Sequence, residues 1–206
     1  MRGGAPGVPY HVNSGMWFTV PNLFTLLRVA MTPYILLELA RGEYMIAGWT
    51  FGAAAFTDTL DGWIARRFGS QSRVGLYLDP VADKILLSGI YIGLMLGHAI
   101  PAWVVAVVFA RDLWILALSG IALRFTKFRE LQPSVWGKAS TFIQIMTAVA
   151  IMAARAYHNS AFQRIADGLV WAVVALAAIS AGDYTARGIG FWLRSRRETR
   201  SLRNRL

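Results

Sequence analysis

The chain has 206 residues, 56% of them hydrophobic and 16% charged, with a mean hydropathy of +0.46, no cysteine and a formal charge of +10. So apolar a composition excludes an ordinary soluble domain of this length and points to a polytopic helical membrane protein. The absence of cysteine excludes disulfides, thiolate metal sites and a cysteine nucleophile, without identifying a compartment.

The opening MRGGAPGVPYHVNSG lacks the apolar core and small-residue cleavage site of a signal peptide and reads as a flexible cytoplasmic lead-in over 1–19. Six apolar stretches follow, at 20–40, 44–65, 78–98, 100–125, 138–157 and 165–192. Each is long enough to cross about 30 Å of hydrocarbon as a helix. The expected fold class is all-α, with one domain of six transmembrane helices over 20–192 and a basic cytoplasmic tail over 193–206.

The positive charge is distributed unevenly. Arg2, then Arg66, Arg67 and Arg73, then Arg124, Lys127, Arg129 and Lys138, and finally the tail arginines fall on one side of a six-span chain. The opposite loops hold Arg41, Arg155 and Arg164. This is the positive-inside pattern, so both termini are expected in the cytoplasm. It argues against nucleic acid as the partner of the basic charge and for anionic headgroups, where each tail arginine is worth about 1 kcal/mol.

The first span begins Val20-Pro21-Asn22, with Pro21 suited to a helix's first turn. Asn22, Thr25 and Arg28 recur every three residues along one stripe, either as a cap with a snorkelling arginine or as the polar wall of a pocket. At the end of the second span come Asp58 and Asp61, and in the third Asp79 and Asp83. A carboxylate is costly in hydrocarbon, so four of them within 26 residues mark a functional site, most simply a cation site. Residues three or four apart share a helix face, so two facing helices would gather four negative charges, a load two divalent ions would neutralise. Between the pairs, Arg66 to Tyr77 reads as a polar basic turn, and Leu78-Asp79-Pro80 as the opening of the third helix.

The whole stretch reads D-x2-D-G-x2-A-R-x8-G-x3-D-x3-D over residues 58–83. It resembles the motif of the CDP-alcohol phosphatidyltransferases, membrane enzymes that join a CDP-linked lipid to an alcohol. The resemblance implies that Asp58, Asp61 and Asp79 are the principal ligands of two divalent ions, Mg²⁺ or Mn²⁺. Asp83 matches the position assigned as general base, with a share in metal binding. Gly62, Ala65, Arg66 and Gly75 match positions that contact the CDP moiety, and Asn22 and Thr25 match a similar Pro-Asn-x2-Thr-x2-Arg opening that favours the pocket-wall reading. The implied reaction transfers a phosphatidyl group from CDP-diacylglycerol to an alcohol, releasing CMP in a single displacement.

Farther along, Arg111-Asp112 lies in the middle of the fourth span, either as a phosphate ligand or as a self-neutralised pair, although adjacent residues point to different helix faces. Ser134 to Thr141 opens the fifth span, with Lys138 either snorkelling or binding an anion. The fifth span reads as otherwise apolar, a packing or lipid-facing surface. Asp183, Tyr184 and Arg187 are polar positions in the sixth. Arg111, Lys138 and Arg187 together would make a cationic cradle for an acceptor phosphate. His11, His98 and His158 are scattered and receive no role, while Trp17, Trp103, Trp171 and Trp192 read as an interfacial belt.

The details look most like the phosphatidylglycerophosphate synthases and cardiolipin synthases of that family. Glycerol 3-phosphate ranks first as acceptor. The run Leu-Trp-Ile-Leu-Ala-Leu-Ser after Arg111-Asp112 leans toward phosphatidylglycerol instead. Inositol phosphate, serine and choline rank lower. A cation transporter would explain the aspartates but not the glycines, alanine and arginine at their spacing, and a noncatalytic lipid-binding scaffold would tolerate loss of Asp83. The setting expected is a bacterial inner membrane with the site at its cytoplasmic side. Membrane enzymes of this size often form homodimers, but no interface is legible in the residues.

Overall fold

The computed structural model describes the chain over residues 20–68, 75–125 and 134–203, with side chains described over 26–57, 81–118, 120 and 134–190. The described residues form six α-helices: α1 (Val20–Ala40), α2 (Tyr44–Phe68), α3 (Gly75–Leu96), α4 (Ala102–Phe125), α5 (Val135–Tyr157) and α6 (Ser160–Arg203). The chain divides into two compact units between Gly93 and Leu94.

Helix boundaries follow local chemistry. After α1, Gly42 takes a left-handed φ of 85°, with Gly42 N–H donating to Leu39 C=O and Glu43 N–H to Glu38 C=O. That pair of bonds closes a helix with an αL residue just past its end. His98 and His158, at φ 56° and 50°, do the same work after α3 and α5 at the cost that αL carries for a residue with a Cβ. α6 begins at Ser160, five residues before the expected 165, because the Asn159 carboxamide oxygen accepts from Ala161 N–H at 2.8 Å. At its far end α6 stays helical past 192 to Arg203, so part of the expected tail continues the helix.

α3 begins at Gly75, earlier than the expected 78. Leu78-Asp79-Pro80 is therefore not its opening but lies in its first two turns, and Gly75 belongs to the helix rather than to the polar turn. Proline at the sixth helical residue removes one i→i−4 backbone bond, the one that would reach Leu76 C=O in the first turn.

In the first unit α1 packs against α2. The buried face of α1 runs Arg28, Thr32, Ile35 and Leu39, at helical spacing, polar at one end and apolar at the other. α2 contributes Ala47, Phe51 and Ala54, and α3 contributes Ala82, Leu86, Leu87, Ile90 and Tyr91. Two glycines let α3 approach α1: a Cβ at Gly89 would stand 2.5 Å from Thr32 Cγ2, and one at Gly93 would stand 2.8 Å from Leu39 Cβ. Small residues four apart are how helices close upon each other where lipid supplies no hydrophobic drive.

In the second unit α6 packs against both α4 and α5. Val104, Val105 and Val108, with Ala148, Ile151 and Met152, and Val173 and Ala177 fill the core. α5 differs from its expected apolar character: Ser140, Gln144 and Thr147 are fully buried along one face, and the Thr147 hydroxyl lies 2.7 Å from Ile143 C=O and 3.4 Å from Leu169 C=O on α6. Hydroxyls can be buried in a helix because the i−4 carbonyl accepts from them. Trp103 and Trp171 pack together with ring centroids 5.7 Å apart. α5 and the Ser160–Gly190 part of α6 are long and apolar enough, among the described residues, to cross a membrane. Leu26, Trp49, Phe56, Leu116, Phe142 and Trp171 are exposed large apolar side chains, an outward placement that suits lipid better than water.

Candidate functional site

The four aspartates fall on consecutive helices. Asp58 and Asp61 lie three residues apart on α2, Asp79 and Asp83 four apart on α3, and both pairs are near the connection between those helices. Gly62, Ala65 and Arg66 occupy the last turns of α2, Gly75 starts α3, and Asn22 and Thr25 lie in the first turns of α1. The side chains of Asp58, Asp61, Ala65, Arg66, Asp79, Asn22 and Thr25 lie outside the described residues. The sequence places the acidic pairs on two adjoining helices; the described geometry begins at Asp83.

Asp83 is joined to α1. Arg28 Nη1 donates to Asp83 Oδ1 across 55 residues of sequence. The Arg28 side chain is 5% exposed and that of Asp83 60%. Burial excludes the snorkelling reading of Arg28, whose charge is held inside the packed unit against a carboxylate that remains open on its other side. One turn on, the Thr32 hydroxyl donates to Arg28 C=O at 3.0 Å, and Thr32 is also the residue that meets Gly89.

A second polar cluster forms in the other unit, where α4, α5 and α6 meet. Arg111 is buried; its Nη1 donates to Asp112 Oδ1 at 2.7 Å and its Nη2 to Ser180 Oγ at 2.8 Å, with Gly137 C=O at 3.5 Å. The adjacent pair thus closes despite pointing from different positions on the helix, because the three-methylene arm of arginine is long enough to fold back. Arg111 Nε has no hydrogen-bond partner among the described residues. Ser134 caps α5 by accepting from Trp136 N–H at 3.2 Å, and its hydroxyl also donates to Asp183 Oδ2. Asp183 in turn accepts from Arg187 Nε at 3.0 Å, and the Tyr184 hydroxyl accepts from Ser134 N–H at 3.1 Å.

Gly137 makes this junction possible. A Cβ there would lie 3.2 Å from Tyr184 Oη, 3.3 Å from Tyr184 Cε2 and 3.5 Å from Arg111 Nη2. Of the three cations expected to cradle an acceptor phosphate, Arg111 meets this junction at Gly137 and Arg187 through Asp183 and Ser134, while Lys138 is the next residue after Gly137; the three differ in state. Arg111 is inside and its terminal nitrogens are engaged; Lys138 is exposed in the first turn of α5, and Arg187 is half-exposed beside Asp183. Ser180 had no signal in the sequence, since one serine in an apolar helix looks like any small packing residue until a buried arginine is found against it.

The four aspartates of the motif, in a chain without cysteine, are hard oxygen donors by residue type, the ligand chemistry that suits Mg²⁺ or Mn²⁺.

A family model described as CDP-alcohol phosphatidyltransferase matches residues 18–181, which include the whole 58–83 motif. A probable phosphatidylglycerophosphate synthase of Mycobacterium tuberculosis is 33% identical over 175 residues, covering 82% of this chain and 80% of its own length. A CDP-diacylglycerol–glycerol-3-phosphate 3-phosphatidyltransferase of Bacillus subtilis is 28% identical over 190 residues, 82% of this chain and 95% of that one. A probable cardiolipin synthase (CMP-forming) of Drosophila melanogaster is 32% identical over 146 residues, and the chain spans 45% of its length. These relatives are transferases, and the matches give no support to a cation transporter.

Proposed function

Since the chain belongs to the CDP-alcohol phosphatidyltransferase family, enzymes that transfer phosphatidyl groups, we propose that it transfers the phosphatidyl group of CDP-diacylglycerol to glycerol 3-phosphate and releases CMP. The observation that carries the reaction is the aspartate motif, complete at residues 58–83 and lying inside the matched segment. The glycerophosphate acceptor is supported by two relatives named for glycerophosphate chemistry, matched over 80% and 95% of their lengths. Phosphatidylglycerol is the second reading, favoured by the near-equal identity of the Drosophila cardiolipin synthase and by the residues following Arg111-Asp112.

In this reading Asp83 accepts the proton of the acceptor hydroxyl. The hydroxyl oxygen forms a bond to the lipid-linked phosphorus, and the bond from that phosphorus to the bridging oxygen breaks, its electron pair leaving with CMP. Two Mg²⁺ or Mn²⁺ ions, when held by Asp58, Asp61 and Asp79 with Asp83 at the edge, supply positive charge that offsets the charge growing on the diphosphate. Gly62, Ala65, Arg66 and Gly75, with Asn22 and Thr25, bind the CDP moiety. Within the second unit, Lys138 and the half-exposed Arg187 are the candidate ligands of an acceptor phosphate, and Arg111 would join them only by exchanging Ser180 or Gly137 for it.

The six helices serve as six spans with both termini in the cytoplasm, as the charge distribution supports, and the site opens at the cytoplasmic side of a bacterial inner membrane. The test is to supply purified protein with CDP-diacylglycerol and either acceptor and identify the lipid made. Phosphatidylglycerophosphate alone supports the first reading, cardiolipin alone the second, and neither product refutes both acceptors.

A further inference from the structure

The reaction proposed above uses Asp83 but assigns nothing to the buried cation attached to it. We propose that Arg28 is a positioning residue for Asp83: it holds one carboxylate oxygen so that the other stays aimed at the acceptor hydroxyl. This rests on the reading of Asp83 as the base.

Three observations support the inference. A guanidinium buried in an apolar helix packing is expensive unless counter-charge meets it, and the Asp83 carboxylate is a counter-charge that Arg28 reaches from inside the packed unit rather than an incidental surface contact. The contact is one-sided. Arg28 Nη1 reaches Oδ1, no hydrogen bond goes to Oδ2 among the described residues, and the Asp83 side chain is 60% exposed. The carboxylate is thus anchored and still accessible, which is what a base needs, because catalytic groups must be held to within about 0.5 Å of their working geometry.

The reach itself is set by packing. Arg28 and Thr32 are one turn apart on α1, and Thr32 presses its methyl group to where a Gly89 Cβ would be; Gly93 admits Leu39 farther on. This close seam holds α1 and α3 at the separation at which an arginine on one meets a carboxylate on the other. Direct binding of substrate phosphate by Arg28 fits less well, since a side chain 5% exposed has little surface to offer it.

The test is a cycle of Arg28→Gln, Arg28→Lys, Asp83→Asn and the Arg28→Gln/Asp83→Asn double variant, in full-length protein, with turnover and CDP-diacylglycerol binding measured separately. A positioning role predicts that Arg28→Gln lowers kcat about ten- to a hundredfold while the CDP-diacylglycerol Kd stays within about twofold. Arg28→Lys recovers part of the loss, and the double variant is no slower than Asp83→Asn alone, because the effect of Arg28 on turnover runs through that carboxylate. Should Arg28→Gln not fold, Arg28→Lys carries the test, with reduced kcat and unchanged binding expected.

Unchanged kcat in both Arg28 variants overturns the proposal, as does a tenfold weaker Kd at normal kcat, which would make Arg28 a substrate ligand. A double variant slower than Asp83→Asn by the full Arg28→Gln factor also overturns it, since that is the mark of a general structural defect. Normal turnover by Asp83→Asn removes the base and this proposal together. Lost turnover there with normal turnover in the Arg28 variants removes this proposal alone.

Discussion

Asp58 and Asp79 carry the strongest residue-level expectation. Replacing either by Ala removes a hard oxygen donor from a set of four, and turnover dependent on Mg²⁺ or Mn²⁺ should fall to background while the protein still inserts into membranes; full activity would refute the site. Lys138→Ala tests the acceptor end. It should raise the KM for glycerol 3-phosphate more than that for CDP-diacylglycerol, and an equal effect on both would remove Lys138 as an acceptor ligand. The aspartates were legible in the sequence because charge in an apolar run demands an explanation and their spacing is regular. The pairing of Arg28 with Asp83 was not, because nothing in a sequence says which of many cations a carboxylate will meet 55 residues away. Arg111 is a similar case: its place in the fourth span was clear, but its engagement with Ser180 depends on how α4 and α6 pack.

At the scale of elements, the six apolar runs identified six helices, and their middles coincide with the helices observed. The ends moved where capping chemistry outweighs hydropathy. Asn159 starts α6 and Ser134 starts α5, each by accepting backbone N–H groups that the first turn cannot otherwise satisfy. Ser134→Ala should therefore destabilise the protein by about 1 kcal/mol from the cap alone, and by more if the Asp183 contact matters. His158 closes α5 in the left-handed region, so His158→Gly should stabilise by up to about 1 kcal/mol, read as a higher midpoint of thermal unfolding in detergent. A lower midpoint would mean that the imidazole makes a compensating contact. The buried polar face of α5 was missed because serine, glutamine and threonine at Ser140, Gln144 and Thr147 are few among apolar neighbours, although their helical spacing was a usable signal.

For the molecule as a whole, membrane topology remains the part argued from charge rather than from contacts. Six spans with both ends in the cytoplasm require that residues near each terminus be shielded from an external reagent. The absence of cysteine makes this simple to read, since a single Cys placed at Arg2 or at Arg203 is the only thiol in the chain. Both should be unreactive toward a membrane-impermeant maleimide in intact cells and reactive after permeabilisation. Labelling of either one in intact cells would contradict an even span count with inside termini.

The central claim is chemical: carboxylates on two helices hold divalent ions that enable transfer from CDP-diacylglycerol. Its most direct test is CMP release by the purified protein with CDP-diacylglycerol and glycerol 3-phosphate, with Mg²⁺ present and after chelation. The account predicts release that requires both the acceptor and the metal and returns when Mg²⁺ is restored. Equal release with and without the metal would contradict it.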